Sequence, residues 1–102
     1  MASAIDVAAY ILEQVGSVTT MKLQKLVYYA QVRSLVMDGT PLFSNRIEAW
    51  ANGPVSPDLF HVHSGKYMVS QGGLGLFGSS SVLSEPQRKT VDTVVKLFGS
   101  YS

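Results

Sequence analysis

The second predicted helix, residues 20–38, has apolar side chains on two opposite faces. At about 100° per residue, one face carries Leu23, Leu26, Val27, Ala30 and Met37, and the other carries Tyr28, Val32, Leu35 and Val36. A soluble helix that is apolar nearly all round must be covered on both sides. The pattern therefore predicts a central helix, capped by Thr19 or Thr20 and closed at Gly39, that is buried along its length.

Two narrow polar strips separate these apolar faces. One strip carries Lys22, Tyr29 and Arg33, and the other carries Gln24 and Gln31. Because the framework around them is expected to be rigid, these few polar groups suit a recognition surface.

Three further helices are predicted from their starting residues. Ser3 with an acid three residues later, and Ser84 with Gln87, are capping-box patterns. The first opens a helix that ends at residues 16–17. The second opens a helix with an inner stripe of Val91, Val94, Val95 and Phe98 and a wet face of Arg88, Lys89, Asp92 and Lys96. The Ser-Pro-Asp run at 56–58 predicts a short helix that ends near Gly65.

The remaining segments predict short strands and loops. Alternation over residues 46–51 predicts a strand with Ile47, Ala49 and Ala51 on one side, and residues 66–69 predict another. The run Asn52-Gly53-Pro54 predicts a turn. Residues 41–43 are expected to fold onto the core. Residues 70–84 are expected to form a flexible connection anchored by Leu74, Leu76 and Phe77.

These elements predict one α+β domain over residues 1–102 that is mostly helical. We expect a central buried helix packed by two or three others, with a two- or three-stranded β element. The chain has 46% hydrophobic and 15% charged residues. Charged content is low against a typical value of roughly 25%, so a partner is expected to cover some of the surface.

Composition also excludes several classes of protein. Cysteine is absent, so neither disulfides nor thiol chemistry are possible. The apolar run at residues 7–12 is too short to span a membrane, and no basic residue precedes Lys22, so we expect a cytosolic protein. The net charge is +1 and the longest basic run is Arg88-Lys89, which argues against binding driven by nucleic-acid phosphates.

No pattern of catalytic or ligand-binding residues is persuasive. The glycines at 73, 75 and 78 match a dinucleotide fingerprint but lack its strand and helix context. His61 and His63 do not share a helix face and have too few neighbouring ligands for a metal. A Ser56-Asp58-His61 hydrolase would lack a nucleophile elbow. We therefore predict no enzyme activity, no metal and no cofactor.

The aromatic residues leave two interpretations open. Tyr28 and Trp50 could simply fill the core. Alternatively, Tyr29 beside Lys22 and Arg33 could belong to an exposed contact surface, since Tyr, Trp and Arg dominate binding hot spots. Stacking on nucleic-acid bases would use the same residue types.

Four segments in order resemble a known family. They are residues 21–31 (MKLQKLVYYAQ), 41–43 (PLF), 47–50 (IEAW) and 53–55 (GPV). Together they resemble the Panacea domain, the SocA-like antitoxin family also labelled phage-associated GepA-like proteins. The resemblance is specific over residues 3–60 and weaker up to residue 102. Family members usually continue past the last helix, so we expect this chain to lack the family's C-terminal segment.

The resemblance implies a mostly helical α+β antitoxin, phage- or prophage-encoded, that neutralises a cognate toxin by direct binding without a cofactor. It leaves a proteolytic adaptor that binds a host protease or signalling protein as an alternative, and a nucleic-acid-binding regulator as a second. The oligomeric state stays open. Polar and aromatic groups on an otherwise buried framework define the expected contact surface, although Gly53 and Pro54 could equally serve only to shape the turn. The surface comprises Lys22, Lys25, Tyr29, Arg33, Trp50, Asn52, Gly53, Pro54 and Val55.

Overall fold

A computed structural model describes residues 2–70, 72 and 78–100 of the chain. The described part contains four α-helices and two antiparallel strand pairs, which confirms a mostly helical α+β fold. The helices are α1 (Ala4–Val15), α2 (Thr20–Arg33), α3 (Pro57–His63) and α4 (Glu85–Phe98). The strands are β1 (Ser17–Thr19), β2 (Glu48–Trp50), β3 (Gly53–Val55) and β4 (Met68–Ser70).

Each helix begins at a side-chain cap, as the sequence predicts. Ser3 Oγ accepts a hydrogen bond from the Asp6 backbone at 3.1 Å, and the Asp6 carboxylate accepts one from the Ser3 backbone at 2.9 Å. Ser84 and Gln87 form the same reciprocal pair at the start of α4. Thr19 caps α2 and Ser56 caps α3. These caps satisfy backbone groups that a helix N-terminus leaves without partners.

Helix α2 lies at the centre of the fold, packed against α1, α4 and β3. Its inward face is Leu23, Leu26, Val27 and Ala30, all buried. From α4, Val91 and Val94 are buried against it, while Val95 and Phe98 are half-buried. Leu42 and Phe43 fold onto the core as expected, whereas Pro41 is exposed.

The prediction that α2 is buried all round is wrong. The opposite face is solvent-exposed towards its end, where Val32, Leu35 and Val36 are exposed, Val36 to 73%. Met37, which was predicted on the inward face, is also exposed, at 64%. The described elements cover one flank of the helix only. Residues 34–38 also form a π-helical turn before Gly39, whose φ is 73°. This wider turn moves Met37 out of the α-helical phase that would have placed it in the core.

The strands differ in part from those predicted. Strand β2 forms a hairpin with β3, so Ala51 and Asn52 make the turn, while Gly53 and Pro54 belong to a strand. Gly53 begins that strand with a φ of 123°, which only glycine adopts readily. Ala49 and Ala51 are exposed, so that side of the predicted strand is not in the core.

Strand β4 begins two residues later than predicted and pairs with β1, a strand that the sequence analysis missed. The expected anchors Leu74, Leu76 and Phe77 lie outside the described residues.

A polar contact joins α1 to α4 at the surface. The Tyr10 hydroxyl donates to Asp92 Oδ1 at 2.7 Å, and Gln14 Nε2 donates to the same atom at 2.9 Å. The hydrogen bond to Asp92 is the main reason that the pKa of Tyr10 is raised to about 12. Arg88 lies over the Tyr10 ring, 5.7 Å from its centroid. The predicted wet face of α4 therefore also ties the two helices together.

Candidate interaction surface

Two exposed residues in the N-terminal half of α2, Met21 and Lys25, lie between two clefts. Cleft one, of about 280 Å³, is lined by Thr19, Met21, Lys22, Lys25, Leu26, Tyr29 and Phe98. Its aromatic wall is formed by Tyr29 of α2 and Phe98 of α4, whose ring centroids lie 4.9 Å apart at an interplanar angle of 45°. The contact holds Tyr29 in place although its side chain is partly open to solvent.

Cleft two, of about 240 Å³, lies between α2, the β2–β3 hairpin and α3. It is lined by Thr20, Met21, Gln24, Lys25, Trp50, Ala51, Asn52, Pro54, Val55, Phe60 and His63. Trp50 and Phe60 form its aromatic wall, in an edge-to-face contact with centroids 4.8 Å apart. Met21 and Lys25 border both clefts. We call these two residues the α2 ridge.

Trp50 is partly exposed, yet its indole is fixed by polar contacts. Its Nε1 donates to Glu48 Oε1 at 2.9 Å, and the other carboxylate oxygen of Glu48 accepts from Arg46 Nε at 2.6 Å. The Trp50 hydrogen bond, followed by the one from Arg46, lowers the pKa of Glu48. Glu48 is therefore ionised near neutral pH and continues to hold the indole.

The floor of cleft two is a buried polar network. Gln24 Oε1 accepts from the Ser56 backbone N–H at 2.9 Å, and Gln24 Nε2 donates to the Ser56 carbonyl at 3.2 Å. These two bonds fix the orientation of the amide. Gln24 Nε2 also lies 2.9 Å from His63 Nε2, so the imidazole nitrogen must accept the bond and the ring must be neutral. Burial lowers the pKa of His63, which also favours the neutral ring.

Gln31, two helical turns after Gln24, makes an equivalent set of contacts. Its Oε1 accepts from the Leu42 and Phe43 backbone N–H groups at 2.8 and 3.4 Å, and its Nε2 donates to the Phe43 carbonyl at 2.8 Å. Both glutamines are buried. The amides of this polar strip are therefore used within the fold: Gln31 lines neither cleft, and Gln24 lines cleft two with its amide already bound to Ser56 and His63.

The structure brings most of the predicted contact residues together. Lys22, Lys25 and Tyr29 line cleft one, whereas Trp50, Asn52, Pro54 and Val55 join Lys25 around cleft two. Arg33 and Gly53 are described residues that line neither cleft.

The sequence analysis missed several cleft residues, chiefly Met21, Phe60, His63 and Phe98. A signal existed only for Met21, which directly precedes Lys22 and lies one helical turn before Lys25. The other three come from α3 and α4, whose positions relative to α2 depend on tertiary packing.

The chemistry of the clefts suits contact recognition. Their walls offer aromatic rings, a thioether, amides and lysine ammonium groups, and no carboxylate lines either cleft within the described residues. Across the same residues there is no group of three or more His, Cys, Asp or Glu that could hold a metal. No helix in the described ranges is long and apolar enough to cross a membrane.

Comparisons with known proteins agree with the resemblance in the sequence. The family model described as "Antitoxin SocA-like, Panacea domain" matches residues 23–102. One relative, named Antitoxin SocA, from Caulobacter vibrioides (strain NA1000 / CB15N), is 39% identical over 57 residues. That alignment covers 53% of this chain and 30% of the relative, so the chain spans well under two thirds of its length. No solved structure gave a significant match. Since the family model covers most of the chain, this protein belongs to the antitoxin SocA-like, Panacea domain family.

Proposed function

We propose that this protein is an antitoxin that neutralises a cognate toxin by direct contact through the two clefts beside the α2 ridge. Family membership supports the antitoxin role. The observation that carries the contact surface is the presence of two aromatic walls, Tyr29 with Phe98 and Trp50 with Phe60, on either side of the exposed α2 ridge. The role is non-catalytic, and we propose that it is exercised in the cytoplasm by a phage- or prophage-encoded protein.

The arrangement favours tight protein binding because the aromatic anchors are already in position. Trp50 is held by Glu48 and by the edge of Phe60, and Tyr29 is held by Phe98. Side chains that are ordered before binding lose less conformational entropy when a partner arrives. Tyr and Trp are also the residue types that most often dominate the binding energy of an interface.

Co-expression with the product of the neighbouring gene, as candidate toxin, tests the proposal. We expect the wild-type chain to restore growth and to co-purify with the toxin. Tyr29→Ala and Trp50→Ala should weaken the complex by about tenfold or more, as hot-spot residues do. Tyr67→Ala is the matched control, because Tyr67 is 78% exposed and lines neither cleft.

Three results would contradict the proposal. The first is no rescue and no co-purification with any neighbouring gene product. The second is recovery of a protease's chaperone subunit in place of a toxin, which would indicate the adaptor function instead. The third is a DNA shift that weakens as salt rises, which would indicate a nucleic-acid-binding regulator.

A further inference from the structure

The charged residues among the described lining of the clefts are all basic, although the whole protein is nearly neutral. The net charge of the chain is only +1, with eight basic and seven acidic residues. Lys22 and Lys25 nevertheless line cleft one, Lys25 also lines cleft two, and neither cleft has a carboxylate among its described residues. Lys25 is exposed and has no ion-pair partner in the part of the chain that the structure describes. The ridge therefore presents the Lys25 ammonium group, without a carboxylate partner among the described residues, between cleft one and cleft two.

From this charge pattern, and resting on the proposed function, we infer that the clefts bind an acidic segment of the partner protein. The segment carries apolar side chains on both sides of its carboxylates. One apolar side chain enters cleft one beside Tyr29 and Phe98, and the other enters cleft two beside Trp50 and Phe60. The carboxylates between them pair with Lys25 and approach Lys22, and the bound segment itself excludes water from the ridge, which reduces screening of the pair.

Two other occupants fit the charges less well. In a two-fold dimer through this face, the Lys22 and Lys25 ammonium groups of both copies would enter one interface without a carboxylate from the described lining of either cleft, and like charges at an interface are repulsive. Nucleic acid would meet only these two lysines, whereas phosphate-driven binding neutralises several phosphates at once. Each cleft also has an aromatic wall, Tyr29 with Phe98 or Trp50 with Phe60, which suits apolar side chains better than a phosphate backbone.

Trp50 provides a reporter for a direct test. It is the single tryptophan of the chain and lines cleft two, so its intrinsic fluorescence responds to occupancy without a label. The probes are two ten-residue peptides that share leucine anchors around a central pair, which is Asp-Glu in one and Lys-Lys in the other. We expect the acidic peptide to bind at least about tenfold more tightly, as expected for a close charge pair at a partly desolvated site.

Charge reversal on the ridge then identifies the residue responsible. Lys25→Glu should abolish the preference for the acidic peptide or turn it towards the basic one. Lys89→Glu is the control for net charge, because Lys89 is exposed on α4 and lines neither cleft. Circular dichroism and the thermal midpoint establish that both variants are folded.

Several outcomes would overturn the inference. They are equal affinity for the two peptides, no binding of either, equal effects of the two reversals, and tighter, salt-sensitive binding of a ten-residue oligothymidylate. The proposed function has a separate readout. If the chain rescues growth but does not discriminate between the peptides, the acidic segment alone is refuted. If it discriminates between the peptides but does not rescue growth from any candidate toxin, the antitoxin role alone is refuted.

Discussion

The two polar strips of α2 are equivalent in sequence pattern but opposite in structure. The glutamine strip, Gln24 and Gln31, is buried, and every side-chain amide there binds backbone of a distant segment. In the other strip, Lys22 and Tyr29 line cleft one and Arg33 lines neither cleft. Lys25 lies beside them and lines both clefts, and we call Lys22, Lys25 and Tyr29 the lysine strip. The glutamine strip holds the fold together, whereas the lysine strip lines the clefts that we propose for a partner.

The difference follows from the chemistry of the side chains. A primary amide offers one acceptor and two donors, and therefore matches the hydrogen-bonding groups of a backbone segment. An ammonium group has donors only and carries a charge that is costly to bury. On a mostly apolar helix, a neutral side chain that can bond to backbone groups can therefore be buried, whereas a charged side chain stays at the surface.

The largest expected effect is at the glutamine strip. Gln31→Leu would leave the Leu42 and Phe43 N–H groups and the Phe43 carbonyl without their present partner. Buried backbone groups that lose a partner cost about 1–3 kcal/mol each, so we expect the free energy of unfolding in urea to fall by about 3 kcal/mol. Gln14→Leu on α1 loses one solvent-exposed hydrogen bond, to Asp92, and should cost less than about 1 kcal/mol. Similar losses for both variants would contradict the division of the two strips.

Acidification should lower the free energy of unfolding by a smaller amount, because His63 lies at the floor of cleft two. The pKa of His63 is lowered by burial from its ordinary 6.5, so the unfolded chain binds a proton more readily than the folded one. The free energy of unfolding should therefore be highest above about pH 7 and decline as pH falls through 6.5 towards the lowered pKa. Protonation would also place an N–H of His63 against Gln24 Nε2.

Urea titrations at about pH 7.5 and about pH 5.5 measure this dependence. His63→Gln can still accept a hydrogen bond from Gln24 but cannot titrate. This variant should therefore lack the part of the stability loss at low pH that His63 causes. His61→Gln, at an exposed neighbour, should keep it. An unchanged pH dependence in His63→Gln would show that the imidazole does not account for the loss.

The smallest expected effect on stability is on the ridge itself. Lys25→Ala should change the free energy of unfolding by less than about 0.5 kcal/mol, because an exposed side chain without a fixed partner contributes little. Tyr29→Ala should cost about 1 kcal/mol, since it loses the ring contact with Phe98. A loss at Lys25 comparable to that of Gln31→Leu would mean that the lysine strip is also structural.

The parts of the fold that sequence predicts well are those fixed by near neighbours. Ser3, Ser56 and Ser84 cap helices through atoms within three residues, so their patterns suffice. Burial of α2 could not be predicted in the same way. Periodicity identifies its apolar residues but does not reveal which flank the rest of the chain covers, and the exposed Val32 and Val36 belong to the uncovered flank.

The sequence predicted several residues of the candidate site but not the shape of its clefts. Lys22, Lys25, Tyr29 and Trp50 were selected as polar or aromatic groups near the family-like segments, and the structure brings them around a common ridge. The walls completed by Phe60 and Phe98 depend on how α3 and α4 pack. That these residues bind a toxin stays a prediction.

The pairing of β1 with β4 has a consequence for local motion. It joins residues 17–19 to residues 68–70, and so closes a long loop that contains α2 and α3. Closing a long loop costs chain entropy, and the hydrogen bonds between two three-residue strands offset only a small part of that cost. We therefore expect this pair to form late and to open first, with amide hydrogen exchange at Val18 and Val69 faster than in α2. Because Thr19 at the end of β1 also borders cleft one, this fraying would change the mouth of that cleft while the helical core stays intact.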